Sequence, residues 1–379
     1  MKLKKILYAF FLFSCISQNS ELLAQTTISK SFVFEGLTRN YRIYIPAIYN
    51  SNTPVPLLFN LHGYTSNNIE QELYADFRPI ADTANFIIIH PNGTPDALGS
   101  LTWNNFGFST INDLGFLDAL IDTASANYNI DLNRVYSTGM SNGGFMSYDL
   151  ACQLSNRITA IASVTGTMLT AKLNACNPSR VVPVMQIHGT ADGTVPYLGN
   201  FLFAPIETLV NTWVQKNNCN ATPIQTEIPN SNTSDLTTAT RFLYTGGTNG
   251  NTVEFYKIHG GGHSWPGAPI NVNVTNMDFS ACKEIWRFFS QYSLNDATSI
   301  YKVKVTQPLV FPNPSNASFY INLTEFGKSN VLVYNQLGQI VIENKNASGI
   351  NSFELPADGA YYLVLNGDKT SAQKIIKLP

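Results

Sequence analysis

Residues 136–144 read YSTGMSNGG, and Ser141 within them stands in a G-x-S-x-G pattern. Arg134 to Thr138 predicts a short buried strand. Gly143, Gly144, Phe145, Met146, Tyr148, Leu150, Ala151 and Leu154 have the spacing of a helix with a small first turn. A serine in the tight turn between strand and helix is the context that a nucleophile elbow requires. Backbone strain and close neighbours there demand small residues two positions either side, and Gly139 and Gly143 meet that demand. The helix N-terminus then faces the serine oxygen, where free N–H groups stabilise negative charge. A bare G-x-S-x-G occurs in many ordinary loops; the strand before and the helix after set this one apart.

Outward from that turn, nearly continuous apolar runs recur: VPLLFNL (55–61), FIIIHPNG (86–93), Ile158 to Val164 and Val181 to Ile187. Such runs predict strands buried on both faces and hence a central, mostly parallel sheet. Amphipathic segments lie between them: 68–84, Asp113 to about Tyr128 with Asp113 as its cap, Pro205 to Gln215, and Ser280 to Tyr292. Thr27 to Ile45 reads as an antiparallel hairpin. Arg241 to Thr245 and Val253 to Ile258 read as two strands joined by a Gly/Asn loop. The alternation predicts one doubly wound α/β domain whose active groups gather at the carboxyl ends of strands. After Leu294 the text changes to short alternating runs (SFYINL, VLVYNQ, QIVIEN, AYYLVLN, QKIIKLP) separated by Gly, Asn and Asp. That pattern predicts a small all-β sandwich.

The 379 residues are 44% hydrophobic and 12% aromatic, ample for a sizeable core. A net charge of -2 with 13% charged residues gives no electrostatic footprint for nucleic acid or an anionic membrane. Lys2, Lys4 and Lys5 precede an apolar run from Ile6 to Ile16, with Ala24 at the cleavage point, so residues 1–24 read as a removable signal peptide. The run is too short to cross a bilayer as a helix. Leu12-Phe13-Ser14-Cys15 loosely resembles a lipoprotein cleavage site, which Phe13 fits poorly. The expected organisation is therefore signal peptide 1–24, α/β domain 25–293, linker 294–307 and β-sandwich 308–379. Four cysteines follow the signal peptide: Cys152, Cys176, Cys219 and Cys282. An even count in an oxidising compartment predicts disulfides, and Cys152 with Cys176 closes the shortest loop. Their wide spacing matches no compact zinc motif, and neither metal nor cofactor is expected.

Ester hydrolysis needs a nucleophile, a base, a group to orient the base, and donors for the oxyanion. Ser141 is the candidate nucleophile. Of five histidines, His62, His90 and His188 sit at strand ends, where a ring usually bonds a turn. His263, in the Gly-rich loop GGGHSWPG (260–267), is the preferred base over His259, which ends a strand. Asp192, after a buried strand, is the candidate orienting acid; Asp192-Gly193 also reads as a plain turn. The order Ser141, Asp192, His263 favours the catalytic reading. The expected oxyanion donors are the backbone N–H groups of Tyr64 and Asn142. Trp103 and Trp265 are candidates to line an aromatic acyl site, against the commoner fate of core packing.

LHGYTSN, PNG with a following Trp, GFLDALID, RVYSTGMSNGGFMSYDLACQLS, HGTADGTVPY and GGGHSWPG occur in that order. Together they resemble the secreted esterase family that groups polyhydroxybutyrate depolymerases with feruloyl and acetylxylan esterases. The resemblance spans roughly 30–292. It implies an α/β-hydrolase fold and carboxylic-ester hydrolysis with the triad at Ser141, Asp192 and His263, on feruloylated or acetylated plant polysaccharide or on polyester. Tyr64 departs from the small residue or cysteine common in such enzymes, and narrows the expected acyl pocket. VFPNPSNASFYINL, VLVYNQLGQIV and GAYYLVL with KIIKL resemble the C-terminal sorting domain read by the type IX secretion system. That resemblance implies the secretion machinery as a partner and a cell-surface or secreted product. A carbohydrate-binding module is the rival reading of the tail, which has tyrosines but no tryptophan. The rival for the whole chain is a surface glycan-binding protein on a hydrolase scaffold without turnover, and a peptidase on the same triad is a third reading.

Overall fold

The structure is a computed structural model that describes residues 26–270, 272–294, 309–311, 313–315, 318–323, 328–366 and 372–378. The expected signal peptide, Cys15 and the expected linker beyond Leu294 lie outside the described residues. Two compact units divide at Ile300/Tyr301.

The larger unit is built on a ten-stranded sheet. Its strands are β1 (Thr26–Phe34), β2 (Leu37–Ile45), β3 (Val55–Leu61), β4 (Ile87–Pro91), β7 (Ile130–Met140), β8 (Ala160–Val164), β9 (Val184–Gly189), β10 (Ile224–Ile228), β11 (Thr238–Tyr244) and β12 (Val253–His259). The two-residue strands β5 (Thr94–Pro95) and β6 (Leu101–Thr102) form a separate ladder. The order is β1-β2-β4-β3-β7-β8-β9-β12-β11-β10. From β4 to β12 all neighbours run parallel; β1 and β2 on one side and β11 and β10 on the other run antiparallel. The parallel strands are the apolar runs of the sequence, and β3, β4, β8 and β9 are buried at every position. Successive side chains point to opposite faces, so Leu57, Phe59 and Leu61 enter one core and Leu58 enters the other. The first core holds Phe116 and Leu117 of α3 (Asp113–Asn127), Met146 and Leu150 of α4 (Asn142–Gln153), and Leu209 and Trp213 of α6 (Ile206–Lys216). The second holds Ala81 of α2 (Arg78–Ala84) and Ile285 and Phe288 of α7 (Ala281–Phe289).

Several local expectations change. The single helix expected at 68–84 is two, α1 (Asn68–Tyr74) and α2, because Pro79 lacks the N–H that a continuous helix would use and Asp76 instead caps the Arg78 N–H. Asn112, not Asp113, caps α3 through the Gly115 N–H; Asp113 is buried in a 2.6 Å pair with Arg39. The short α5 (Thr170–Ala175) and the edge strand β10 carry too little periodicity to be read from sequence. The Cys152–Cys176 disulfide forms as expected, but Cys219 and Cys282 are free. The sheet lies between them: Cys219 packs with the first core and Cys282 with the second.

The smaller unit has two antiparallel sheets around one core. One is β13 (Leu309–Phe311), β14 (Ser318–Asn322) and β17 (Ile350–Glu354). The other is β16 (Ile340–Ala347), β15 (Ser329–Tyr334), β18 (Gly359–Leu365) and β19 (Gln373–Lys377), in that order. Phe319, Ile321, Val331, Val333, Leu363 and Ile375 fill the space between. Alternation along each strand sends apolar side chains inward, as in a sandwich.

Candidate active site

The parallel strands end on one rim, and there β7 turns into α4 at Ser141. Ser141 has φ 53 and ψ -118, a conformation costly for a non-glycine residue, about 1–3 kcal/mol. Its N–H bonds the Val164 carbonyl at 2.8 Å and its carbonyl accepts the first α4 bond from Phe145 at 3.0 Å. Glycine on either side is a steric necessity: a Cβ on Gly143 would lie 2.3 Å from the Leu61 carbonyl oxygen, and one on Gly139 would lie 2.6 Å from the Gly143 backbone. Asn142 is the first residue of α4, so its N–H has no partner within the helix. Tyr64 follows β3 in the turn that faces it, and Gly63 packs beside the Ser141 Cβ. Among the described residues, neither the Tyr64 nor the Asn142 N–H donates to a backbone oxygen.

Side chains brace the turns that carry these two N–H groups. The Asn142 Oδ1 accepts from the Trp103 N–H at 2.7 Å, and the Asn142 carbonyl accepts from Asn105 Nδ2 at 2.6 Å. The His62 ring spans its own turn: Nδ1–H donates to the Gly63 carbonyl at 2.7 Å and Nε2 accepts from the Gly93 N–H at 2.9 Å. Burial pushes the His62 imidazole down to about 4, so it stays neutral in this role.

Asp192 and His263 meet through the loops after β9 and β12. Gly189 and Gly261 touch so closely that a Cβ on Gly189 would lie 2.1 Å from the Gly261 carbonyl, and Ala191 N–H bonds that carbonyl at 2.9 Å. The His263 Nδ1–H then donates to Asp192 Oδ2 at 2.7 Å. Asp192 Oδ1 accepts from the N–H groups of Thr194 and Val195. His263 and Ser141 line one cavity of about 630 Å³, with Tyr64, Leu73, Tyr74, Met140, Ile270 and Val272 among its walls.

A buried row of side chains stands behind Asp192, and its member His188 bonds the turn that follows β9, as its place at a strand end predicts. Tyr148 donates to Gln186 Oε1, Gln186 Nε2 donates to His188 Nδ1, and His188 Nε2–H donates to the Val195 carbonyl, 3.4 Å from Asp192 Oδ2. Burial lowers the His188 imidazole to about 4, so the ring beside Asp192 is neutral and leaves the carboxylate's charge for His263. The alternation Gln186-x-His188 on β9 is the only sequence signal for this row. His259, the alternative base, is exposed and bonds Thr240 Oγ1 instead. His90 is buried without a hydrogen-bond partner for either ring nitrogen among the described residues, so it does not tie a turn as expected.

Trp103 and Trp265 are both buried, the commoner fate of tryptophan. Each is 1% exposed; Trp103 belongs to the core on one face of the sheet and Trp265, against Phe77, to the core on the other. Neither lines the Ser141 cavity. Trp103 instead donates its Nε1–H to the His62 carbonyl, which steadies the turn carrying Tyr64.

The phospholipase/carboxylesterase family profile matches residues 109–246, the segment from just before α3 through the Ser141 turn and Asp192 to just past β11. The larger unit is a serine carboxylesterase of the α/β-hydrolase fold. A secretion-system C-terminal sorting domain profile matches residues 309–378 of the smaller unit. The chain is 28% identical over 268 residues to a bifunctional acetylxylan esterase/xylanase of Neocallimastix patriciarum, a match over 70% of this chain but only 35% of that protein. It is 29% identical over 272 residues to feruloyl esterase D of Neurospora crassa, covering 68% of this chain and 83% of the relative. An acetyl xylan esterase from Aspergillus awamori superposes over 70% of this chain and 99% of its own at a TM-score of 0.51 and 13% identity, a likeness of fold.

Proposed function

We propose that the esterase unit works through Ser141, His263 and Asp192 by an acyl-enzyme route. His263 Nε2 takes the Ser141 proton as Oγ attacks the ester carbonyl, and the N–H groups of Tyr64 and Asn142 hold the oxyanion. His263 returns that proton to the leaving alcohol. Water then attacks the acyl-enzyme by the same route in reverse, releasing the acid and restoring Ser141. The observation that carries this reading is the 2.7 Å His263–Asp192 hydrogen bond on the wall of the cavity that Ser141 also lines.

The proposed substrates are feruloylated or acetylated plant polysaccharides, with short polyesters second. The names of the relatives support the first class, and the largely apolar cavity walls suit either acyl group. Residues 1–24 are proposed to start export and the tail to carry the esterase across the outer membrane through the type IX system, to a secreted or cell-surface place. The test is kcat/KM on p-nitrophenyl acetate for the wild type and Ser141→Ala. Full activity in the variant ends the proposal, and failure of the wild type to react with a fluorophosphonate probe would favour a non-catalytic glycan binder.

A further inference from the structure

A second cavity, of about 610 Å³, adjoins the Ser141 cavity, and among the described residues Tyr64 alone lines both. Its apolar walls include Trp103, Phe106, Phe108, Leu98 and Pro95, and its polar lining is Thr94, Asp96, Thr102, Asn104 and Ser109. Phe106 stacks on Phe108 at 5.9 Å between centroids, and Phe108 and Leu98 are more than four-fifths exposed, which leaves a wide apolar mouth. The Tyr64 hydroxyl donates to Asp96 Oδ2 at 2.8 Å. Asp96 is itself held, because its Oδ1 accepts from the N–H groups of Leu98 and Ser100. The phenol ring is thus fixed across the boundary between two cavities by a carboxylate built into a turn.

The geometry points to Tyr64 as a partition that sets acyl size, with the second cavity as the site for an aromatic acyl group of the hydroxycinnamoyl kind. This deepens the esterase reading and rests on it. The leaving alcohol must lie within reach of His263, which lines only the first cavity. The two halves of an ester diverge at the carbonyl carbon, so the acyl half extends away from His263, towards the Tyr64 side of the oxyanion site. A small acyl group such as acetyl fits in front of the ring. A larger planar one must pass the ring, and beyond it the Phe106 and Phe108 rings offer faces on which such a group stacks. Tyr64 thereby favours short acyl groups until its hold on Asp96 is released.

The experiment compares kcat/KM for methyl ferulate and p-nitrophenyl acetate in the full-length wild type, Tyr64→Phe, Tyr64→Ala, and Tyr64→Ala combined with Ala97→Trp, which fills the second cavity from its exposed edge. The ferulate-to-acetate ratio is expected to rise about tenfold or more in Tyr64→Ala, to rise in Tyr64→Phe, and to return towards the wild-type value once Ala97→Trp is added. A ratio within about twofold of wild type in Tyr64→Ala overturns the partition. A gain that survives Ala97→Trp overturns the assignment of the second cavity, and an unchanged ratio in Tyr64→Phe overturns the role of Asp96. Failure of the underlying esterase reading looks different: the wild type then hydrolyses neither ester.

Discussion

Replacing Asp192 by asparagine tests the proposed triad at its least exposed member. The side chain of Asp192 is 0% exposed, so the isosteric Asp192→Asn change reaches His263 without altering the cavity surface. The new amide keeps an oxygen for the Thr194 and Val195 N–H groups and presents an NH2 where Oδ2 now accepts from His263 Nδ1. Facing a donor, Nδ1 must give up its proton, which moves to Nε2, the nitrogen that has to accept from Ser141. The base is then absent in the resting tautomer. Loss of this kind costs about ten-thousandfold in turnover, about 5.5 kcal/mol in the barrier. Stability falls by less: the NH2 also meets the His188 Nε2–H, now 3.4 Å from Oδ2, and one mismatched buried donor costs about 1–3 kcal/mol. The assay is kcat/KM on p-nitrophenyl acetate at 25 °C, with thermal denaturation of the same samples to show that the variant is folded. A folded Asp192→Asn enzyme within about tenfold of wild type would refute the assignment of Asp192.

Two further outcomes concern stability. Reduction of Cys152–Cys176, or the double Cys→Ala change, frees a loop of sequence separation 24 and should lower unfolding stability by about 3.5 kcal/mol, read as a shift in urea midpoint; an unchanged midpoint would mean that the bond constrains nothing in the unfolded chain. His62, His90 and His188 are each pushed by burial to about 4, below the ordinary value of 6.5. Above pH 6.5 these rings are neutral folded or unfolded. As pH falls from 6.5 towards 4 only the unfolded chain takes up their protons, so stability drops across that window by up to about 1.4 kcal/mol per pH unit per ring. Urea titrations at pH 7 and pH 5 check this, and His188→Gln should reduce the slope.

The sequence by itself determined the fold class and the candidate triad. Apolar runs such as VPLLFNL declare strands covered on both faces, and only glycine at 139 and 143 allows a serine turn so close to the Leu61 carbonyl. Those signals are local, carried by neighbours in the chain, and can be read without coordinates. Tertiary structure decided what depends on which face of the sheet a residue occupies and which loops meet. It separated Trp103 from Trp265 and Cys219 from Cys282 by a layer of strands, and it set the turn-bonded His188 beside Asp192 as a neutral neighbour. It also brought Asp96 to the Tyr64 hydroxyl across 32 residues of chain. Such contacts form because parallel strands deliver distant loops to one rim, a convergence that no spacing along the chain encodes.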